Sequence, residues 1–338
     1  MLLTYEQMRQ EAQSNATLLL GNGFCMAYDK DRFSFTSLLD SALKDNILKK
    51  ESHIYKLFQK LNTADFESVM KLLDQSRQVV EVYEGDKTLL KELATDATNL
   101  KEYLVKIITN NHPAHMHEMP EEKKKACLEW LKPYPTIYTL NYDLLLYWTT
   151  LAAASQPYGD GFANTEESRH EGYVVYQNKG SFEVHYLHGA MHLFDDGDEI
   201  IKKTYSNSGV LLVTQVKEAL ENGTYPIFIS EGDSSQKMTK ILHSAYLNHC
   251  YKSLRSKGRV TGGGDIVIFG TTLKKNDQHI FDAILESNLT RIFIGVSDEK
   301  SVDHLQVQVR ENNKKLKPHQ QKSIILYDYR TTNPWQTV

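Results

Sequence analysis

Cysteine is scarce in this chain. Its 338 residues hold three, Cys25, Cys127 and Cys250, far apart and odd in number. No Cys-x-x-Cys pair exists, which excludes a four-cysteine zinc site, and the usage fits a reducing, cytoplasmic setting. Long hydrophobic runs are missing too: no apolar stretch is long enough to span a bilayer and no signal-peptide pattern opens the chain, so no membrane partner is expected. A strong charge of either sign is also absent. The net charge of −4 gives no reason to expect a direct nucleic-acid surface. There are no internal repeats and no low-complexity tract. What remains, 41% hydrophobic and 24% charged residues, is the composition of an ordinary soluble globular protein, long enough for one large α/β domain or for two domains.

The most informative stretch is 16–24, Ala-Thr-Leu-Leu-Leu-Gly-Asn-Gly-Phe. Thr17 to Leu20 reads as a short buried strand. Gly21 and Gly23 then allow a tight turn that can pass close to a phosphate, with backbone N–H groups turned toward it. The third glycine of a dinucleotide fingerprint is missing, since position 26 is Met. On this loop alone, a phosphate cradle and a simple tight strand exit are equally good readings.

Residues 4–14 read as a polar helix leading into that strand, and Ser34 or Thr36 could cap the helix after the loop. Residues 40–132 then carry almost no strand signal. Apolar stripes at helical spacing run through Phe66, Val69, Met70 and Leu73, and through Leu89, Leu93, Leu100, Leu104 and Ile107. We read 40–132 as a helical insertion between the first and second strands. From Pro135 onward the pattern alternates. Strand-like runs lie at 136–140, 183–187, 226–230, 265–269, 291–296 and 323–327, with helical segments at 142–154, 209–222, 234–257, 276–288 and 302–315. The expectation is an α/β fold, a Rossmann-like, doubly wound, mostly parallel sheet of about seven strands. Right-handed crossovers put every strand's C-terminal end on one edge.

Those ends carry unusual groups: Thr139-Leu140-Asn141-Tyr142-Asp143, His185-Tyr186-Leu187-His188-Gly189 and Phe269-Gly270-Thr271-Thr272-Leu273. Singly, each has a local explanation. Asn and Asp cap helices, and a lone histidine is more often structural than catalytic. Together they gather an imidazole, an amide, a carboxylate and two glycine turns on one sheet edge, which suits a nucleotide-processing site. Other groups weigh less. His112, His115 and His117 do not make a His-Glu-x-x-His helix, because Pro120 interrupts it. His185 and His188 point to opposite faces of a strand, which argues against a three-histidine site with His192. Glu231-Gly232-Asp233 with Lys237 could cover a cofactor but reads slightly better as a loop and helix start; Glu67 suits a site position or a helix cap equally well, Asp277 could contact a nucleotide or merely begin a helix, and Gly262-Gly263-Gly264 reads as a turn before a strand.

Taken in order, Gly21-Asn22-Gly23-Phe24, Thr139-Leu140-Asn141-Tyr142-Asp143, Leu187-His188-Gly189 and Gly270-Thr271-Thr272-Leu273 resemble the motifs of sirtuins. They look most like the zinc-less, sirtuin-like branch of bacterial NAD-consuming proteins, many of them in antiphage defence. The resemblance implies one sirtuin-like domain over 1–338 with NAD as its substrate. Gly21, Asn22, Gly23 and Phe24 would lie along the pyrophosphate. Asn141 and His188 would carry the chemistry, with Thr139, Asp143 and Gly189 beside them. Gly270, Thr271, Thr272 and Leu273 would hold the adenosine side. No metal is expected. The paired cysteines of protein-deacetylating sirtuins are missing, which argues against deacetylation and leaves hydrolysis of the nicotinamide–ribose bond.

In that reaction His188, with an ordinary pKa of about 6.5, takes a proton from water or a ribose hydroxyl, and Asn141 orients the sugar or the water. The family further implies a gated effector, with gating by homo-oligomerisation or by a partner protein, often an ATPase. Two other readings stay open at the level of sequence: a module that binds NAD or ADP-ribose without hydrolysis, and an ADP-ribosyltransferase acting on protein.

Overall fold

The computed structural model describes residues 2–153, 158–168, 171–179, 182–229, 234–259 and 263–337. The Glu231-Gly232-Asp233 segment, Ser230 and Gly262 lie outside the described residues. In chain order the strands are β1 (Thr17–Leu20), β2 (Thr136–Thr139), β3 (Phe162–Ala163), β4 (Tyr173–Tyr176), β5 (Val184–Tyr186), β6 (Leu193–Asp195), β7 (Ile200–Lys203), β8 (Asp265–Phe269), β9 (Arg291–Val296) and β10 (Ser323–Asp328). Six of them form one sheet in the order β10-β9-β8-β1-β2-β5, and every pairing in it is parallel. Numbered within the sheet by chain order, this is 3-2-1-4-5-6, the doubly wound arrangement. Its order reverses between β1 and β8, where Leu20 lies opposite Phe269.

The central strands are apolar on both faces because helices cover both. All four residues of β1, all four of β2 and all five of β8 are buried. The core they anchor is contiguous from Met8 to Trp335. Between β1 and β2 the chain forms only helices, dominated by Phe66–Val82 and Lys87–Asn111, which pack on one another. The stripe Phe66, Val69, Met70 and Leu73 is buried, as its spacing requires. No helix among the described residues is long and apolar enough to cross a membrane.

Two expectations change. The run at 226–230 is not a strand of the sheet. Ile229 N–H donates to His188 O and Ile227 N–H to Leu193 O, so this segment crosses the loop after β5 and pairs there through a single antiparallel bridge, Gly189 to Phe228. A second sheet, in the antiparallel order β3-β4-β7-β6, lies between β2 and the later strands in sequence and was not expected. Its strands are two to four residues long, too short for periodicity to register.

At the order reversal the loops after β1 and β8 are in contact. A Cβ on Gly23 would lie 2.5 Å from the Gly270 Cα, and one on Gly21 would lie 2.4 Å from the Thr271 Cβ. Gly270 itself has φ +81°, and its Cβ would meet the Phe24 nitrogen at 2.7 Å. We expect Gly23→Ala and Gly270→Ala each to cost about 2 kcal/mol or more of stability in denaturant unfolding, through clash with backbone and, at Gly270, strain. Both changes force apart the same contact, so the double variant should cost clearly less than the sum. Simple additivity would show that the two loops do not depend on one another.

Candidate functional site

A cavity of about 970 Å³ opens at the C-terminal edge of the sheet, at the upper end of the size range for ligand sites. All six strands deliver residues to it: Gly21 to Gly23 after β1, Leu140 to Asp143 after β2, His188 after β5, Gly270 to Thr272 after β8, Ser297 after β9 and Tyr329 to Thr332 after β10. The opposite wall comes from the helices between β1 and β2, including Phe33, Leu38, Glu67, Leu104 and Ile108. The lining also holds the cations Lys30, Lys274 and Arg330.

Of the residues singled out in the sequence, Gly21, Asn22, Gly23, Asn141, Asp143, His188, Gly270, Thr271 and Thr272 line this cavity. Four others do not. Phe24 is fully buried, its ring 4.7 Å from that of Trp335 and its carbonyl accepting the Trp335 indole N–H at 2.8 Å. Thr139 is buried in β2, where its hydroxyl accepts the Asn141 backbone N–H at 3.0 Å, so it shapes the turn instead of meeting a ligand. Gly189 turns with φ +83° against the next segment, and a Cβ there would lie 2.0 Å from Ile227 O. Leu273 is fully buried in the core, with φ +46°.

The glycine loop also differs from expectation. Its N–H groups are largely spent on the protein: Gly21 N–H donates to Phe269 O, Gly23 N–H to Gly270 O and Phe24 N–H to Gly21 O, each at 2.9 Å. The turn therefore locks to the β8 loop more than it forms an open cradle of donors. Asn141 joins this lock. Its side-chain Nδ2 donates to Gly21 O at 3.1 Å, which leaves Oδ1 as its acceptor for a ligand. Asp143 is engaged on both oxygens, by the Leu145 backbone N–H at 2.9 Å and the Cys25 thiol at 2.6 Å. The first is an Asx-turn bond just ahead of the helix Leu145–Leu151, whose N-cap is Leu144, and the second ties Asp143 to the helix after β1.

His188 sits at the edge of a buried polar cluster. Its side chain is buried, with Nε2 lying 3.0 Å from Nε2 of His279 and 4.0 Å from Oδ1 of Asp277. Lys237, fully buried, bridges Glu67 Oε2 at 2.9 Å and Asp277 Oδ1 at 3.2 Å. Asn276 donates to Glu67 Oε2 at 2.6 Å, and the Tyr142 hydroxyl reaches Glu67 Oε1 at 3.3 Å. Burial opposes the Lys237 ammonium, but Glu67 and Asp277 outweigh it and raise its pKa. Burial raises the Glu67 carboxyl above the usual carboxylate range in spite of Lys237. Burial first, then Lys237 and His279, hold His188 neutral, well below the ordinary imidazole pKa.

Sequence reasoning left Glu67, Asp277 and Lys237 open between the site and helix starts or loops, and it gave no role to Tyr142, Ser234, Asn276 and His279. Together the seven come from four separate stretches, and only the fold brings them together. Residues of the C-terminal stretch 329–337 that line the cavity, tied down by Trp335, carry no motif either.

Three other buried histidines, His112, His185 and His192, are packed away from the cavity. His112 Nδ1 lies 3.0 Å from Pro113 O, and its Nε2 accepts the Leu144 N–H at 3.0 Å. His185 stacks between Tyr138 and Phe182, and His192 stacks on Tyr147 with neither ring nitrogen hydrogen-bonded to the described residues. Burial lowers the pKa of the five imidazoles buried among the described residues, to about 3 for His185 and His279. The unfolded chain takes up these protons near pH 6.5, whereas the folded chain resists them until the pH is far lower. Stability therefore falls as pH drops below about 6.5, by on the order of 1 kcal/mol per pH unit for each such histidine. We expect the melting temperature to fall markedly from pH 7 to pH 5, before most carboxylates titrate, and the slope to become shallower in His192→Phe. A flat profile over that window would mean that these rings are not held neutral.

No curated protein matches the chain. A family model does, described as a domain of unknown function, DUF4917, over residues 18–335. That span runs from β1 through β10 to Trp335 and takes in the whole lining contributed by the strand ends. The chain belongs to the DUF4917 family.

Proposed function

We propose that the protein is an NAD+ hydrolase that cleaves the nicotinamide–ribose bond to give nicotinamide and ADP-ribose. The observation that carries this reading is the convergence of Asn141 and His188 on one large cavity beside Gly21, at the point where the order of a doubly wound parallel sheet reverses. Such a crevice suits a dinucleotide. Lys30 and Lys274 in the lining are suitable partners for its pyrophosphate, and they take over part of the role that the occupied loop amides cannot fill; Arg330 is already forked on Asp328.

The chemistry then follows from the side chains. Nicotinamide in NAD+ is a cationic leaving group, so the C–N bond breaks with its electron pair going to the ring nitrogen and leaves an oxocarbenium-like ribose. A water oxygen bonds to the anomeric carbon and its proton passes to His188, which is neutral and therefore able to accept it. The free Oδ1 of Asn141 orients the water or a ribose hydroxyl, and its Nδ2 stays anchored on Gly21. The apolar wall of Phe33, Leu38, Leu104 and Ile108 limits access of other acceptors.

The same reading makes the protein a gated effector of antiphage defence in the cytoplasm, since unrestrained NAD loss would be lethal. Gating by homo-oligomerisation or by an activating partner such as an ATPase fits the exposed apolar residues Val79, Val82, Tyr83 and Leu89, which cluster where the Phe66–Val82 and Lys87–Asn111 helices meet.

The decisive measurement is nicotinamide release from NAD+ by the purified protein, alone and with candidate partners. His188→Ala should lower turnover by about 10²-fold or more with the fold retained by circular dichroism, and Asn141→Ala should also lose most activity. Undiminished NAD+ loss in His188→Ala would remove the mechanism. Tight NAD+ binding with no turnover under any condition would favour a binding module, and label on a protein target would favour ADP-ribosyl transfer.

A further inference from the structure

A base that is buried and pressed toward neutrality needs its proton-bearing nitrogen defined, because a neutral imidazole accepts through only one of its two nitrogens. We propose that His279 is a positioning residue that fixes His188 as the tautomer protonated on Nε2 and so leaves Nδ1 as the nitrogen that accepts the substrate proton. This rests on the hydrolase reading above for its catalytic consequence, but not for its geometry.

The two rings lie nearly parallel, at 26°, with their Nε2 atoms 3.0 Å apart. Two neutral imidazoles in that contact must share one hydrogen: one nitrogen donates and the other is bare. The surroundings decide which. Asp277 Oδ1 stands 4.0 Å from Nε2 of His188, too far to accept its hydrogen but close enough for the negative charge to favour a hydrogen over a bare lone pair on that nitrogen. His279 Nε2 then accepts, and His279 must carry its own hydrogen on Nδ1. That nitrogen lies 3.1 Å from the Ser234 hydroxyl oxygen, which also accepts the His279 backbone N–H at 2.7 Å. The chain of donors is thus consistent from end to end: His188 Nε2–H to His279 Nε2, and His279 Nδ1–H to Ser234 Oγ. Among the described residues His188 makes no other side-chain hydrogen bond, so its Nδ1 is left for the ligand.

The charged and titratable groups around the pair come from every neighbouring element. Lys237 lies on the Ser234–His243 helix and Asp277 on the turn before the His279 helix. Glu67 comes from the opposite wall and shares Lys237 with Asp277, while the Tyr142 ring stacks over His188 at 6.5 Å. His279 thus keeps His188 Nε2 away from a direct bond with Asp277. Without it, His188 Nε2 can turn toward Asp277, which keeps a hydrogen on Nε2 but swings the ring and its Nδ1 away from the position His279 holds, and favours the imidazolium of His188.

Two readouts test this in the full-length protein. In the wild type, nitrogen-15 NMR of labelled histidine at pH 7 should show His188 with a pyrrole-type Nε2 and a pyridine-type Nδ1. This requires no turnover and stands even if no nicotinamide is released, in which case the hydrolase reading falls and the tautomer assignment does not. In kinetics, His279→Ala should lower kcat by about tenfold or more with KM within about twofold, and should move the acid limb of the pH–rate profile upward toward 6.5. His279→Gln, whose carbonyl oxygen can accept from His188 Nε2, should restore most of the rate and the limb. A pyridine-type Nε2 on His188 in the wild type would overturn the proposal. So would a His279→Ala enzyme with unchanged kcat and limb, or a Gln variant no better than Ala. Should the Ala variant fail to fold, the wild-type spectrum and the Gln variant still decide.

Discussion

The contact between the loops after β1 and β8 is the constraint on which the site depends. In a doubly wound sheet the crossovers leave in opposite directions at the reversal, which normally opens a crevice there. Here the crevice floor is closed by backbone against backbone: Gly21, Gly23 and Gly270 approach so closely that a methyl group at any of them would overlap a neighbour. The glycines serve this approach first. Their N–H groups are spent within it, and Gly21 O holds the side chain of Asn141. The loop that resembled a phosphate cradle is therefore also the fixture for the amide on the next strand. Any shift of β1 against β8 would carry Asn141 with it.

The second organising element is electrostatic. Lys237 is buried and would be prohibitively costly there without partners. Glu67 comes from the helical wall and Asp277 from beyond β8, so the ion pair ties the insertion to the sheet at the cavity's base. Such a cluster is weak evidence for stability. Its clearer consequence is local: it sets a positive group and a carboxylate near His188, and Lys237 adds to the burial that keeps that ring neutral.

Much of this was legible in the sequence, and for identifiable reasons. The sheet strands β1, β2, β8, β9 and β10 are short apolar runs with helical segments between them, the pattern that a parallel sheet buried on both faces must produce. Asn141, His188 and the glycine turns stood out because polar groups at strand ends need a reason to be there. The run at 226–230 misled because apolar composition alone cannot distinguish a sheet strand from a segment that covers a loop. The β6–β7 hairpin was missed although Asp196-Gly197-Asp198 supplied a turn signal, since its strands are three and four residues long. Phe24 and Leu273 were assigned to ligand contact by their place in a motif. Next to a glycine that turns the chain, an apolar side chain faces the core as readily as the ligand, and both face the core here.

His279 and Lys237 were harder to read for a different reason. A motif is legible when the residues that cooperate are neighbours in the chain. The groups around His188 arrive from the insertion, from the helix after 233, from the turn at 275–277 and from the first turn of the helix that follows it. Their cooperation exists only after β5 and β8 have been placed in one sheet, with β1 and β2 between them. A histidine at the start of an amphipathic helix is unremarkable in sequence. Its meaning here comes from one ring nitrogen 3.0 Å from His188 and the other beside Ser234. Which nitrogen of a buried imidazole is bare depends on its hydrogen-bond partners, and the partners of this one are remote from it in the chain.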